Sequence, residues 1–312
     1  MKKLLVVLSV VLLVLVGAYG LGSKYKYELY DMAMAMEQNK AKLTPGVAMV
    51  GDLRFAYLEG PKVEGQPSLV LIHGFAANKE NWMRFAANLT DQYHVIAVDL
   101  LGHGESTQDP KLSYDIDDQV LYLSRFLDAK KISNVHLAGN SMGGAVSSLF
   151  AATYPERVLT VSLVNPAGVF DHRSVLEDYL ERGENPLVVK KPSDIYTLMD
   201  FAMVDVPFVP WPITEVVAER SMAKKALNDQ IFEQIKGDHK YNFKQALTRI
   251  KAPTLVMWGK EDKVINYKNA DLFNELVPNS TKLIYQDIGH APMIEIPMRS
   301  AEDISKFIME NS

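Results

Sequence analysis

The stretch VHLAGNSMGGAVSS, residues 135–148, decides how this chain is read. Val135–Ala138 is a short apolar run of strand-like composition, and GAVSSLFAA from Gly144 onward has the composition of a helix. Between them stands Ser141, with Gly139 and Gly143 two residues to either side. A strand–turn–helix with small residues around a serine is the nucleophile elbow, G-x-S-x-G. The glycines are needed because the turn is tight and the adjoining elements pass close. Such a turn lifts the hydroxyl out of the sheet, and the helix that follows points free N–H groups at the same place. Five letters alone match by chance; the strand before and the helix after give the match its weight.

Working outward, SLVLIHG, YHVIAVDLLG, VLTVSLVNPAG, APTLVMWGKED and TKLIYQDIGH are further short β-branched runs, each ending in turn or polar residues. Helical stretches such as DIDDQVLYLSRFLDA and NYKNADLFNELV separate most of them. Strands buried on both faces and alternating with helices predict an α/β fold, a mainly parallel central sheet flanked by helices. In such sheets function gathers at the carboxyl ends of the strands. Ahead of these runs, VAMVGDLRFAYLEG reads as a hairpin turning at Gly51-Asp52. From about Gly168 to Tyr241 there is no strand signal, only helical pattern and the irregular stretch FAMVDVPFVPWPI. That length is too great for a plain loop. It predicts an inserted helical cap, about residues 168–245, within a catalytic domain spanning 46–312. Pro207, Pro210 and Pro212 leave Phe208 and Trp211 on an irregular segment, either packed inside the cap or at the rim of an apolar substrate entrance.

A serine nucleophile needs a base, and the base needs an orienting acid. Of seven histidines, His290 in YQDIGHAPMIEIP lies in a turn after the last strand, with Gly289 and Ala291 leaving room for the ring. His73 closes its strand before Gly74-Phe75 and reads as a loop-stabilising residue, and His103 in LGHGES as the holder of a turn. His94, His136, His172 and His239 fall at strand starts or in the cap. Asp262, in LVMWGKEDKVI, follows a strand by a short loop and is the expected acid; Glu261 is its nearest rival, and Asp287 belongs to a strand end. Acyl transfer also requires main-chain donors for an oxyanion. The N–H groups of Met142, next after the serine, and of Phe75, in the loop HGFAANKENW, are placed to supply them.

The bulk numbers narrow the alternatives. At 312 residues, with 48% apolar and 23% charged residues, the chain can bury a large core. A net charge of −5 gives no electrostatic footprint for nucleic acid. There are no cysteines, so disulfides and a thiol nucleophile are excluded, and no tight metal-ligand spacing predicts a metal. The N-terminus departs from the average: Lys2 and Lys3 precede an almost wholly apolar run from Leu4 to Gly22. Residues 1–22 read as a single-pass membrane anchor with the catalytic domain outside the cytoplasm, the alternative being a secretory signal removed from a periplasmic or secreted protein. Residues 23–45 read as an amphipathic linker helix that ends before Pro45 and lies either on the membrane surface or against the body of the protein.

The motifs HGFAANKENW, DLLGHGES, GNSMGG, LVNPAG, MWGKEDKVI and IGHAPMIEIP, in that order, resemble the α/β-hydrolase superfamily from about residue 50 to the end. HGF with its K-x-x-W spacing, SMGG, LVNPAG and the apolar N-terminus resemble the monoacylglycerol lipase branch and related bacterial lipases. The resemblance implies an α/β-hydrolase fold with Ser141, Asp262 and His290 as nucleophile, orienter and base, and Phe75 and Met142 in the oxyanion hole. It implies no metal and no organic cofactor, and a lipid or small ester as substrate. Asn140 in GNSMGG is also typical of carbon–carbon bond hydrolases that open ring-cleavage products, and Arg173, Arg182 and Lys190 of the cap are available to hold a substrate carboxylate for that reaction. The loop HGFAANK and the Ala291-Pro292 that follows His290 favour the esterase. A non-catalytic binding protein on the same scaffold is the reading from another class.

Overall fold

The computed structural model describes residues 19–236 and 242–311. Strand formation follows the apolar runs. Leu69 and Leu71 of β3 (Ser68–Ile72) enter one core cluster while Val70 and Ile72 enter the other, so alternate side chains serve opposite faces. The same division holds in β4 (His94–Val98), where Val95 and Ala97 oppose Ile96 and Val98. β5 (Val135–Asn140), β6 (Val158–Val164) and β7 (Thr254–Gly259) are likewise enclosed, and β8 (Ser280–Tyr285) closes the far edge. β1 (Thr44–Val50) and β2 (Leu53–Glu59) form the hairpin, with Val50 paired to Leu53 across Gly51-Asp52 and Gly51 at φ 60°. Pro45 falls inside β1, which is tolerated because β1 is an edge strand.

The eight strands form one sheet in the order β1-β2-β4-β3-β5-β6-β7-β8. β1, β2 and β4 pair antiparallel, and every pair from β4 to β8 is parallel. The chain therefore reverses its direction of travel across the sheet at β3, and β5 lies beside that switch point with its carboxyl end carrying Ser141.

Helices complete both faces. α1 (Lys26–Lys40) precedes the sheet, and α2 (Ile116–Ala129) and α3 (Met142–Thr153) cover one face. Between β6 and β7 the described residues hold no strand but five helices: α4 (Val175–Glu181), α5 (Asp194–Ala202), α6 (Ile213–Ala223), α7 (Lys225–Lys236) and α8 (Phe243–Leu247). α9 (Asn269–Leu276) returns to the first face, while α10 (Pro297–Glu310) places Ile304, Phe307 and Ile308 against the other. α1 packs on the body through Leu29, Tyr30, Ala33 and Met34, which meet Ile213 and Val216 of α6. Lys26 bonds Glu215 and Glu219, and the Tyr30 hydroxyl donates to Glu80 at 2.6 Å. Met32 and Met36, on other sides of α1, remain exposed.

Among the described residues no helix is long and apolar enough to cross a membrane. The expected anchor falls mostly on residues 1–18, which lie outside the described residues, as does His239.

Candidate active site

Ser141 links β5 to α3 at φ 55° and ψ −119°, a conformation that L-residues adopt only where the surroundings enforce it. Its N–H donates to Val164 O at 3.0 Å, and its carbonyl accepts from Ala145 and Ala167. The neighbouring glycines are sterically required. A Cβ on Gly139 would lie 2.2 Å from Gly143 O, and one on Gly143 would lie 2.3 Å from Ile72 O. These are backbone atoms that cannot yield, so helix and sheet come together only with no side chain between them.

His290 reaches this elbow from the loop after β8. Its N–H donates to Ala202 O at 2.7 Å, and its carbonyl accepts from Asn140 Nδ2, beside the serine, at 3.0 Å. On the ring, Nδ1–H donates to Asp262 Oδ2 at 2.7 Å, which fixes the tautomer and leaves Nε2 as the acceptor. The Asp262 side chain is completely enclosed. Glu261 and Asp287, the other acids weighed for this place, are exposed. No hydrogen bond joins the Ser141 hydroxyl to His290 among the described residues; such bonds commonly tighten only when substrate is present.

The loop after β3 closes the site from the other side. A Cβ on Gly74 would lie 3.1 Å from Ser141 Cβ, so the Gly74-Phe75 peptide runs directly beside the serine. Met142, the first residue of α3, has no intrahelical acceptor for its N–H. His73 bridges the two loops beneath: Nδ1–H donates to Gly74 O at 2.7 Å and Nε2 accepts from Leu100 N–H at 3.0 Å. Burial pushes His73 below the usual histidine range and His103 down to about 3, so both rings stay neutral. Beside them, Asp99 accepts from the Lys79 N–H, from Lys79 Nζ at 2.8 Å and from the Glu105 N–H.

Residues 67–297 match the family model for the alpha/beta hydrolase fold. The chain belongs to the α/β-hydrolase family. It is 36% identical over 276 residues to Lipase 3 of Moraxella sp. (strain TA144), covering 87% of this chain and 86% of that one. It is 28% identical over 268 residues to the monoacylglycerol lipase ABHD6 of Rattus norvegicus, covering 82% and 80%. Among solved structures, a membrane phospholipase A described as a bacterial virulence factor superposes with a TM-score of 0.89, at 39% identity and 99% coverage of both chains. Within its family this protein is an ester hydrolase of the lipase type.

The helical segment between β6 and β7 leans on the same loops. Phe232 of α7 meets the Phe75 ring at 5.3 Å, and Lys224 Nζ donates to Gly104 O. Phe208 and Trp211 are the expected substrate residues. Phe208 is 85% exposed, while Trp211 stacks on Tyr19 at 4.9 Å and donates to Glu215 at 3.1 Å. Neither packs in the cap interior, and among the described residues no hydrogen bond or ring contact joins either to Ser141, Asp262 or His290. Of the cap cations, Arg173 is engaged with Asp178 and Glu181. No cluster of His, Asp or Glu that could hold a metal ion occurs among the described residues.

Four polar residues of the site were not assigned roles from sequence. Asn140, Asn165, Trp258 and Glu295 each direct polar atoms at the His290 or Asp262 loop. Glu295 accepts from Gly289 and Ala291 on one side and from Val204 and Asp205 of the cap on the other. The signal was present for three of them: Asn140 ends β5, Asn165 follows β6 and Trp258 lies near the end of β7, at the strand ends where function gathers.

Proposed function

We propose that this hydrolase cleaves carboxylic esters of amphiphilic acyl lipids, monoacylglycerols among them, through an acyl-enzyme on Ser141. His290 Nε2 takes the proton as Ser141 Oγ attacks the ester carbonyl, and the Phe75 and Met142 N–H groups receive the oxyanion. Each such donor is worth about 2.7–4 kcal/mol in comparable sites. Collapse of the tetrahedral intermediate expels the alcohol, which leaves with the proton from His290. Water, deprotonated by the same ring, then releases the acid. Asp262 holds the imidazole in its working tautomer and stabilises the imidazolium. One observation carries this reading: a serine held at positive φ, whose neighbour Asn140 bonds the carbonyl of a histidine with its ring bonded at 2.7 Å to an enclosed carboxylate.

The lipid substrate is supported by the lipase relatives and by the apolar run at residues 4–22, which we read as a single-pass anchor holding residues 46–312 at the outer face of a membrane, with the cap as their insertion. Hydrolysis of a p-nitrophenyl ester ladder by residues 23–312 tests the chemistry. Turnover should fall by about 10⁴-fold or more in Ser141→Ala. Equal turnover in the variant, or none on any ester, would refute it.

A further inference from the structure

Two polar side chains beside Asp262, those of Asn165 and Trp258, take no part in the chemistry above. Both point at the oxygen that His290 uses. Asp262 Oδ2 accepts from His290 Nδ1–H at 2.7 Å, from Asn165 Nδ2 at 2.7 Å and from Trp258 Nε1 at 3.0 Å. Oδ1 accepts from the Val264 and Ile265 N–H groups at 2.8 and 3.0 Å. A carboxylate offers about four lone-pair directions, so five donors saturate it and it cannot turn without losing bonds.

Asn165 is placed for this and little else. It is fully buried, follows β6 immediately, and takes φ 46°, which among side-chain-bearing residues asparagine tolerates best. Its N–H extends the ladder to Met257 O, while Nδ2 also reaches Gly289 O at 3.2 Å and Oδ1 faces the Gly259 N–H at 3.4 Å. One amide thus touches the ends of β6 and β7 and the His290 loop. An aspartate there would set a second carboxylate against Asp262; an apolar residue would remove the amide that ties Oδ2 to Gly289 of the His290 loop.

We propose that Asn165, seconded by Trp258, is the positioning residue of this active site: it locks Asp262 Oδ2 where His290 Nδ1 requires it and ties that carboxylate to the His290 loop. The proposal rests on the reading of His290 and Asp262 as base and orienter. It assigns both residues to the chemical step and neither to substrate binding.

Asn165→Gly keeps the positive φ and removes only the side chain; Trp258→Phe keeps a buried ring and removes the N–H. Both are assayed for kcat and KM on a soluble p-nitrophenyl ester. The downfield proton resonance of the His290 Nδ1–H, assigned by its loss in His290→Ala, is recorded alongside. Asn165→Gly should lower kcat on the order of 10–100-fold with KM within about twofold. The resonance should shift or broaden. Trp258→Phe should change both in the same direction by less. Unchanged kcat and resonance in both variants, or a loss carried by KM alone, overturns the proposal. If Asn165→Gly does not fold, Trp258→Phe decides it by the same criteria. Failure of the underlying reading shows separately, as turnover that survives Ser141→Ala or His290→Ala with Asn165 intact.

Discussion

The carboxyl edge of the sheet and the outer surface of the helical segment between β6 and β7 are stabilised in different ways. At the edge, polar side chains are held by main-chain groups: Asp262 by Val264 and Ile265, Glu295 by four N–H groups, and His73 by Leu100 and Gly74. On that segment, charged side chains hold one another in water, as Arg173 holds Asp178 and Glu181, and Lys225 holds Asp229. A bond to an enclosed main-chain group has one geometry and no competing solvent, whereas an exposed ion pair is screened and adds little. The edge is therefore built for preorganised chemistry. Where the segment between β6 and β7 meets the edge, it shares the apolar core through Leu176, Phe201, Ile231 and Phe243, and its polar and ring contacts include Ala202 O on His290, Glu295 on Val204 and Asp205, Lys224 on Gly104 and Phe232 on Phe75.

The contrast can be broken most readily at Lys79. Its side chain and that of Asp99 are almost wholly buried, and Lys79→Met would strand the carboxylate without its charge partner. The expected cost is about 3–5 kcal/mol by denaturant unfolding. A loss no larger than a surface substitution causes would show that the edge tolerates an unpaired charge.

Acid sharpens the comparison next. Burial pushes His103 down to about 3 and His136 to about 4, and lowers His73 as well, whereas the unfolded chain protonates them near 6.5. As pH falls below about 6.5, the unfolded state therefore binds protons that the folded state refuses, and stability drops. His103 and His136 each add a slope of about 1.4 kcal/mol per pH unit between about 6.5 and 4. His103→Gln should flatten the slope of unfolding free energy between pH 6.5 and 4 by about that amount, and an unaltered slope would remove His103 from the account.

The smallest effect is expected at Trp211, on the segment between β6 and β7. Trp211→Ala removes a residue that is 42% exposed and, among the described residues, stacks on Tyr19. It should leave kcat/KM on a short soluble ester within about twofold. A larger loss would tie that surface to the catalytic centre.

Much of the edge was legible because its elements are local. The runs at 68–72, 94–98, 135–140, 158–164, 254–259 and 280–285 are strands, and Ser141, Asp262 and His290 follow three of them. The choice between Asp262 and Glu261 was not legible in composition or spacing, since adjacent acids differ only in which way the loop turns them. Asp262 faces inward because its Oδ1 closes a turn on Val264 and Ile265. Phe208 and Trp211 drew attention for their aromatic character among prolines, yet that composition does not say which neighbour a ring finds. Trp211 finds Tyr19, nearly two hundred residues earlier.

The sequence by itself determined the strands, the hairpin at Gly51-Asp52, the elbow at Ser141 and the helical character of the segment between β6 and β7. Periodicity and turn chemistry act between residues within a few positions of each other. Only the tertiary structure decided that β4 inserts between β2 and β3, that Asn165 reaches Asp262 across 97 positions and Gly289 across 124, and that Glu295 ties the cap to the His290 loop. Those contacts exist because crossover connections bring distant strand ends to one edge, and no pattern among neighbours along the chain encodes which side chains meet there.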